Sequence, residues 1–165
     1  MKKNSDTNAE TKEDRGLDQI DRVLLAALQA DASRPYAELG QAAGLSAGAA
    51  HERIKKLRAR GVIRRNTVEI DPAAIGKDIL SFVTIDASAW MGDEQTAAAL
   101  RDITEIEAAY IVAGSGSVLL KVRTASTNAL QSVLRRLFDI EGVRSTQATV
   151  TLETLFERPV AVDSA

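Results

Sequence analysis

The spacing of apolar residues changes once along this chain, near Asn66, and that change limits the fold more than any other feature. Before it the spacing is helical. Ile20, Leu24, Ala27 and Leu28 fall at i, i+4, i+7 and i+8, behind Asp18 as N-cap and Asp21 in the first turn. A second short helix is expected after Pro35, with Pro35 at its first position, Leu39 and Ala43 inward and Gly44 as its stop. Ser46 then caps a third helix that turns Ala50, Ile54 and Leu57 inward and closes at Gly61. Val62 to Ile70 reads as extended structure running to a turn at Asp71-Pro72.

Beyond Gly76 strands and helices alternate. Leu80 to Ala87 is rich in Val, Ile, Thr and Phe and reads as a strand, while Asp93 to Ile103 puts Ala97, Leu100 and Ile103 at helical spacing. Ala108–Ala113 and Val118–Arg123 are apolar strands joined by Gly114-Ser115-Gly116-Ser117. Leu130, Val133, Leu134, Leu137 and Phe138 then form a helical stripe after a Ser126/Thr127 cap, and Ala148, Val150 and Leu152 alternate with polar neighbours as a half-buried strand. The order βαββαβ is that of a ferredoxin-like unit, a four-stranded antiparallel sheet with both helices on one face. The expected chain is therefore α+β: a tail over 1–16 that is polar enough to be disordered, a helix-turn-helix domain over 17–66 that is winged-helix-like, a linker strand and turn over 67–79, the ferredoxin-like domain over 80–157, and a C-terminal tail over 158–165.

Charge divides at the same border. The whole chain of 165 residues carries 21 Lys+Arg against 23 Asp+Glu, a net charge of -2 that by itself argues against a nucleic-acid partner. From Leu17 to Asn66, however, nine basic residues face five acidic ones, while from Thr67 onward eight face fourteen. A basic helical part precedes an acidic mixed part, and the total hides both.

The basic part has the shape a DNA reader needs. Around the turn Gly44-Leu45-Ser46, two helices must cross closely, and the second is the basic one. With Ala50, Ile54 and Leu57 buried, Gly48, His51, Lys55 and Arg58 point outward as a stripe suited to the major groove. Arg53, Lys56 and Arg60 form a second ridge which, with Arg64 and Arg65, faces phosphates. Ser46, Ala47, Gly48 and Ala49 let the helix start approach a phosphate closely. The same residues also suit a trihelical packing module with a solvated basic face. Turn chemistry, the third-helix position and the wing-like segment favour DNA.

These residues carry a resemblance. Leu17-Asp18-x-x-Asp21, Glu38-Leu39, Gly44-Leu45-Ser46, Arg53-Ile54-Lys55-Lys56-Leu57 and Gly61-Val62-Ile63 look like the N-terminal signature of the Lrp/AsnC (leucine-responsive/asparagine regulator, feast/famine) family of transcription factors. Gly114 with Leu119-Leu120-Lys121-Val122, and Gly142-Val143 with Thr146, resemble that family's amino-acid-sensing domain. The resemblance covers about Leu17 to Glu157. It implies a homodimer built largely from the sheets, association into octamers, and a small-molecule effector, an amino acid or related metabolite, bound between dimers near the hairpin loop.

One departure stands in that loop. Members of the family commonly carry Gly-Asp-aromatic-Asp where this chain has Gly114, Ser115, Gly116 and Ser117. Hydroxyls are weaker acceptors for an ammonium group than carboxylates, so the loop reads either as an effector site or as a plain Gly/Ser turn. Thr146 is a further polar candidate beside it, followed by Thr149 and Glu153.

Other classes are less well supported. The lack of Cys excludes thiolate metal sites and cysteine nucleophiles, a single His argues against imidazole-rich metal sites, and no paired acid–base or phosphate-loop spacing marks an enzyme. No catalytic residue, metal or cofactor is expected. The alternative to a transcription regulator acting on a pseudo-palindromic double-stranded operator is a small-molecule-binding or assembly module that leaves DNA alone. No apolar run approaches the ~18 residues of a membrane span and no apolar stretch follows Met1-Lys2-Lys3, so the expectation is a cytoplasmic protein without membrane contact.

Overall fold

The computed structural model describes residues 16–162, so apart from Gly16 the tail expected to be disordered lies outside the described residues. The chain divides into two compact units, one containing residues up to Val68 together with those from Arg158 onward, the other Glu69–Glu157. The last described residues thus join the helical unit, where the Gln29 side-chain amide donates to the Val160 carbonyl at 2.8 Å.

The first unit holds α1 (Gln19–Ala30), α2 (Tyr36–Ala42) and α3 (Ala47–Ala59). Asp18 and Ser46 cap α1 and α3, accepting from the N–H groups of Asp21 and Ala49. Pro35 lies one position earlier than expected, as the extended residue before α2, because its fixed φ serves a β-region cap as readily as a first helical turn. Leu24, Leu39, Ala50 and Ile54 are fully or almost fully buried as the core, with Ile20, Leu28, Tyr36 and Leu45 around them. The turn between α2 and α3 is tight enough to specify two glycines. Gly44 takes a φ of +67°, and a Cβ on Gly40 would come within 2.6 Å of the Leu45 carbonyl oxygen.

The segment after α3 is extended but pairs with no strand among the described residues, so the expected wing is absent from the single chain. Val62 and Ile63 instead donate to the Leu57 carbonyl and finish α3, and Val68 and Ile70 stay exposed. β-branched residues favour an extended backbone, but only a neighbouring edge makes a strand.

The second unit runs β1 (Ile79–Ala87), α4 (Glu94–Arg101), β2 (Ile106–Ile111), β3 (Val118–Thr124), α5 (Thr127–Phe138) and β4 (Val143–Val150), after a short 3₁₀ turn at Ala73–Ile75. The sheet order is β2-β3-β1-β4, antiparallel at every step. Val83, Ile85, Val118, Leu120 and Val122 from the sheet meet Leu100 of α4 and Leu130, Val133 and Leu137 of α5 in one core, so both helices cover one face, as the βαββαβ order implies. Fully burying each such side chain contributes about 1.5–3 kcal/mol, which makes this layer the main support of the unit. On the opposite face Phe82 and Tyr110 are partly exposed, and Lys121 pairs with Glu107 at 3.4 Å and with Glu157 at 2.7 Å, drawing residue 157 onto β3.

Three inward assignments fail at element ends, one of them Val150, which is 43% exposed in the last rung of β4. Phe138, the last residue of α5, overhangs the core and is 51% exposed, because eight residues along a helix the stripe has drifted from its first member. Leu152 is fully exposed because the ladder ends when the Thr151 N–H donates to the Leu80 carbonyl, while β4 begins earlier than the alternation suggested, at Val143. Among the buried polar side chains of the described residues, that of Ser81 is fully buried and its hydroxyl has no hydrogen-bond partner. A buried hydroxyl without a partner is destabilising, so Ser81→Ala should raise the stability of the chain by about 1 kcal/mol, read as a higher urea midpoint with an unchanged slope.

Candidate nucleic-acid interface and effector loop

Burial of Ala50, Ile54 and Leu57 fixes which way α3 faces. His51, Lys55, Lys56 and Arg58 are left exposed, and the first turn, Ala47, Gly48 and Ala49, is exposed backbone with little side chain. Nothing stands within 4 Å of where a Gly48 side chain would begin, so another molecule has room to approach the helix start. The unpaired N–H groups of a first helical turn attract anions, and Ser46 satisfies that of Ala49 at 3.2 Å. No ion pair holds Lys55 or Lys56 among the described residues; Arg64 and Arg65 follow, exposed on the extended segment.

Arg53 is engaged within the helical unit. Its Nη1 donates to Asp18 at 2.6 Å and to Asp21 at 2.9 Å, joining α3 to the start of α1. The ridge it was expected to share with Lys56 and Arg60 follows from helical geometry, which says where a side chain leaves the helix but not what lies opposite. The Asp18 carboxyl is held below its ordinary 3.8, first by the Asp21 N–H it accepts as N-cap and then by the Arg53 guanidinium. Asp18 is half exposed and Asp21 nearly buried, so the clamp contributes less energy than the core beneath it and chiefly fixes the register of the two helices.

Tyr36 is the residue that spacing could not reveal. Its ring meets that of His51 edge to face, with centroids 4.8 Å apart, and its hydroxyl accepts from Arg58 Nη1 at 3.3 Å. It lies 15 to 22 positions away from those partners, and only the crossing of α2 over α3 brings them together.

In the second unit the loop 114–117 is anchored to β1. The Val112 N–H donates to the Ser117 carbonyl at 3.1 Å, and the Ser117 N–H donates to the Ile85 carbonyl at 2.8 Å. A Cβ on Gly116 would fall 2.3 Å from Thr84 Cγ2, so a larger residue there would force the loop away. Thr146 pairs with Ile85 from the other side, so Ser117 and Thr146 flank the same residue of β1. Thr149 pairs with Phe82 farther along, and Glu153 lies beyond the end of the strand. The sequence reading missed Asp86. Two residues on from Thr84, it shares the sheet face that Gly116 touches, is exposed, and faces Ser145 in the ladder. A cavity of about 380 Å³, lined by Met91, Leu100, Arg101, Tyr110, Ile111 and Val118 among others, opens between α4 and β2 and reaches the two strand ends that carry the loop.

Both halves match known families. Residues 17–58 match the AsnC-type helix-turn-helix domain and residues 81–161 the Lrp/AsnC ligand binding domain. The chain belongs to the Lrp/AsnC family. It is a transcriptional regulator of that type, with its DNA-binding domain ahead of its ligand-binding domain. The HTH-type transcriptional regulator LrpA of Mycobacterium tuberculosis is 38% identical over 140 residues, covering 85% of this chain and 93% of its own length. Regulatory protein AsnC of Escherichia coli is 30% identical over 145 residues, covering 87% and 95%. Among solved structures, a feast or famine regulatory protein from M. tuberculosis complexed with L-methionine superposes with a TM-score of 0.82 at 36% identity, over 90% of this chain and all of that one.

Within this Lrp/AsnC regulator no three His, Asp or Glu side chains converge as a metal site requires, and no helix is long and apolar enough to cross a membrane, both among the described residues. The clamp carries a pH signature. A carboxyl whose pKa is lower in the folded state adds stability above its unfolded pKa and loses that stability as pH falls through the folded value. Asp18→Asn keeps an N-capping side chain but removes the charge facing Arg53. The urea midpoint of Asp18→Asn should therefore lie below that of the parent at neutral pH, and the gap should close as pH falls below 3.8; a gap independent of pH would show that the charge is not what Asp18 contributes.

Proposed function

We propose that this regulator binds a pseudo-palindromic double-stranded operator as a homodimer, with one α3 in each half-site, and that dimers associate further into octamers. The exposed basic flank of α3 carries this reading: among the described residues no ion pair engages Lys55, Lys56 or Arg58, on a helix whose opposite side is buried. In it His51 and Lys55 face base edges, Lys56, Arg64 and Arg65 face phosphates, and the bare turn Ser46-Ala47-Gly48 lets the helix start come close. Arg53, already engaged by Asp18 and Asp21, supports α3 and leaves the DNA to its neighbours. Twofold symmetry sets the half-sites about one helical turn, or a small multiple of it, apart.

Direct readout and backbone contact are separable by experiment. Lys55→Ala should weaken binding to a duplex selected from a random pool by on the order of tenfold and relax its sequence preference, whereas Lys56→Ala should weaken all duplexes alike and lower the slope of log K against log[salt] by about one. Binding by the parent that ignores salt would remove the phosphate contacts from this account. Retained amino-acid binding with no enrichment of any duplex would favour a sensing or assembly module.

The effector is an amino acid or related metabolite held at the loop 114–117. Support comes from the ligand-binding family of residues 81–161 and from the relative solved with L-methionine. Gly114, Ser115, Gly116, Ser117 and Thr146 supply backbone and hydroxyl groups, and Asp86 supplies the carboxylate an ammonium group needs where the loop itself has serines. An amino acid that binds the folded state raises its melting temperature by mass action, by the equivalent of about 2.7 kcal/mol at a hundredfold excess over Kd. In a thermal-shift screen of the twenty amino acids one or more should do so, and Asp86→Asn should abolish that shift while leaving the unliganded melting temperature unchanged. A shift that survives the substitution removes Asp86 from the site.

A further inference from the structure

Arg58 belongs by spacing with His51 and Lys55 on the stripe that faces the groove, yet the structure ties it sideways to α2. Arg58 Nη1 donates to the Tyr36 hydroxyl oxygen at 3.3 Å, and the His51 ring packs edge to face on the Tyr36 ring. The consequences are chemical. A phenol oxygen that accepts from a guanidinium keeps its own O–H proton for another acceptor, and no described residue takes it. A guanidinium carries five N–H donors, so one bond to Tyr36 leaves the rest of the fork open. Two donor groups, one charged and one neutral, therefore stand side by side, the exposed Arg58 of α3 and the half-buried Tyr36 of α2, and among the described residues no carboxylate pairs with either. Among the described residues the carboxylate paired with His51 is that of Glu52, 3.6 Å from Nδ1. Two adjacent donors of this kind match two oxygens of one phosphate group.

We propose that Tyr36 and Arg58 form a clamp for a single backbone phosphate of the operator, with His51 holding the Tyr36 ring in place. Tyr36 thereby becomes a DNA-contacting residue, and Arg58 moves from base reader to phosphate anchor. The clamp explains why an arginine about three turns along α3 from its first residue is fixed in direction before any DNA arrives: a preset side chain loses less conformational entropy on binding. It also gives α2 a part in recognition, so the angle between the two helices sets the distance between the clamped phosphate and the bases read by Lys55. The inference rests on the DNA-binding reading of α3.

Tyr36→Phe is the discriminating change, since it keeps the ring against His51 and removes only the hydroxyl. Binding of the full chain should be measured on a duplex selected by the parent and on unrelated duplex DNA. The clamp predicts a loss of roughly tenfold on both duplexes, with the salt slope unchanged because no charge is removed, and no further loss when Tyr36→Phe is added to Arg58→Ala. It also predicts one phosphate whose replacement by a neutral methylphosphonate weakens the parent but not the double variant. An unchanged thermal midpoint for Tyr36→Phe confirms that the fold is intact; should it fall, the methylphosphonate scan of the parent against Arg58→Ala decides alone. Parent-like binding by Tyr36→Phe, or losses that add in the double variant, overturn the clamp and leave the DNA reading standing. Absence of DNA binding by the parent overturns both.

Discussion

Everything that α3 presents to solvent depends on what it hides. Ala50, Ile54 and Leu57 lie on one side of the helix and are buried, Ala50 and Ile54 in a core with Leu24 of α1 and Leu39 of α2. A helix has only one way to bury such a stripe, so the direction of His51, Lys55 and Arg58 follows from apolar packing rather than from any attraction for a partner. The apolar contacts supply the energy, at about 2–5 kcal/mol for truncating a buried Leu or Ile to Ala. Exposed ion pairs supply far less, typically below about 1 kcal/mol. The Arg53 bridge to Asp18 and Asp21 is accordingly a register device that ties α3 to the start of α1.

A similar division of labour shapes the second unit. The sheet and its two helices are held by Val and Leu side chains from every layer, and the groups with chemistry to offer sit at its margins, at the β2–β3 loop and on the open face. The loop is short on side chains because it lies against β1: Gly116 rests on Thr84, and Ser117 is bound to the Ile85 carbonyl. Close packing of that kind selects small residues whatever the ligand. Asp86 stands exposed two residues on from Thr84, on the sheet face that Gly116 touches.

How far the sequence could be read depended on the range of the interaction behind each feature. The Asp18 and Ser46 caps, the Gly44 turn and the stripes of α1, α3 and α5 involve residues within two turns of one another, and they were legible. The βαββαβ order was legible for the same reason, since each element has its own period. The errors fell where a local pattern outlived its partner. Leu152 continues an alternation past the last rung of β4, Phe138 extends a stripe past the edge of the core, and Val62 to Ile70 has the composition of a strand without an adjacent edge. The partners of Arg53 and Tyr36 were not legible because they lie 15 to 35 residues away.

The amino-acid sequence by itself therefore determined the kinds of element, their order, the division into a basic helical part and an acidic mixed part, and the family to which both belong. Periodicity, capping and net charge are short-range or additive properties, and they survive in a string of letters. Only the tertiary structure decided which charges are available. It committed Arg53 to α1, set Arg58 against Tyr36, and brought Asp86, Ser117 and Thr146 around one stretch of β1. Those outcomes depend on the distances between side chains of different elements, which the crossing of helices and the register of strands set, and no single segment encodes them.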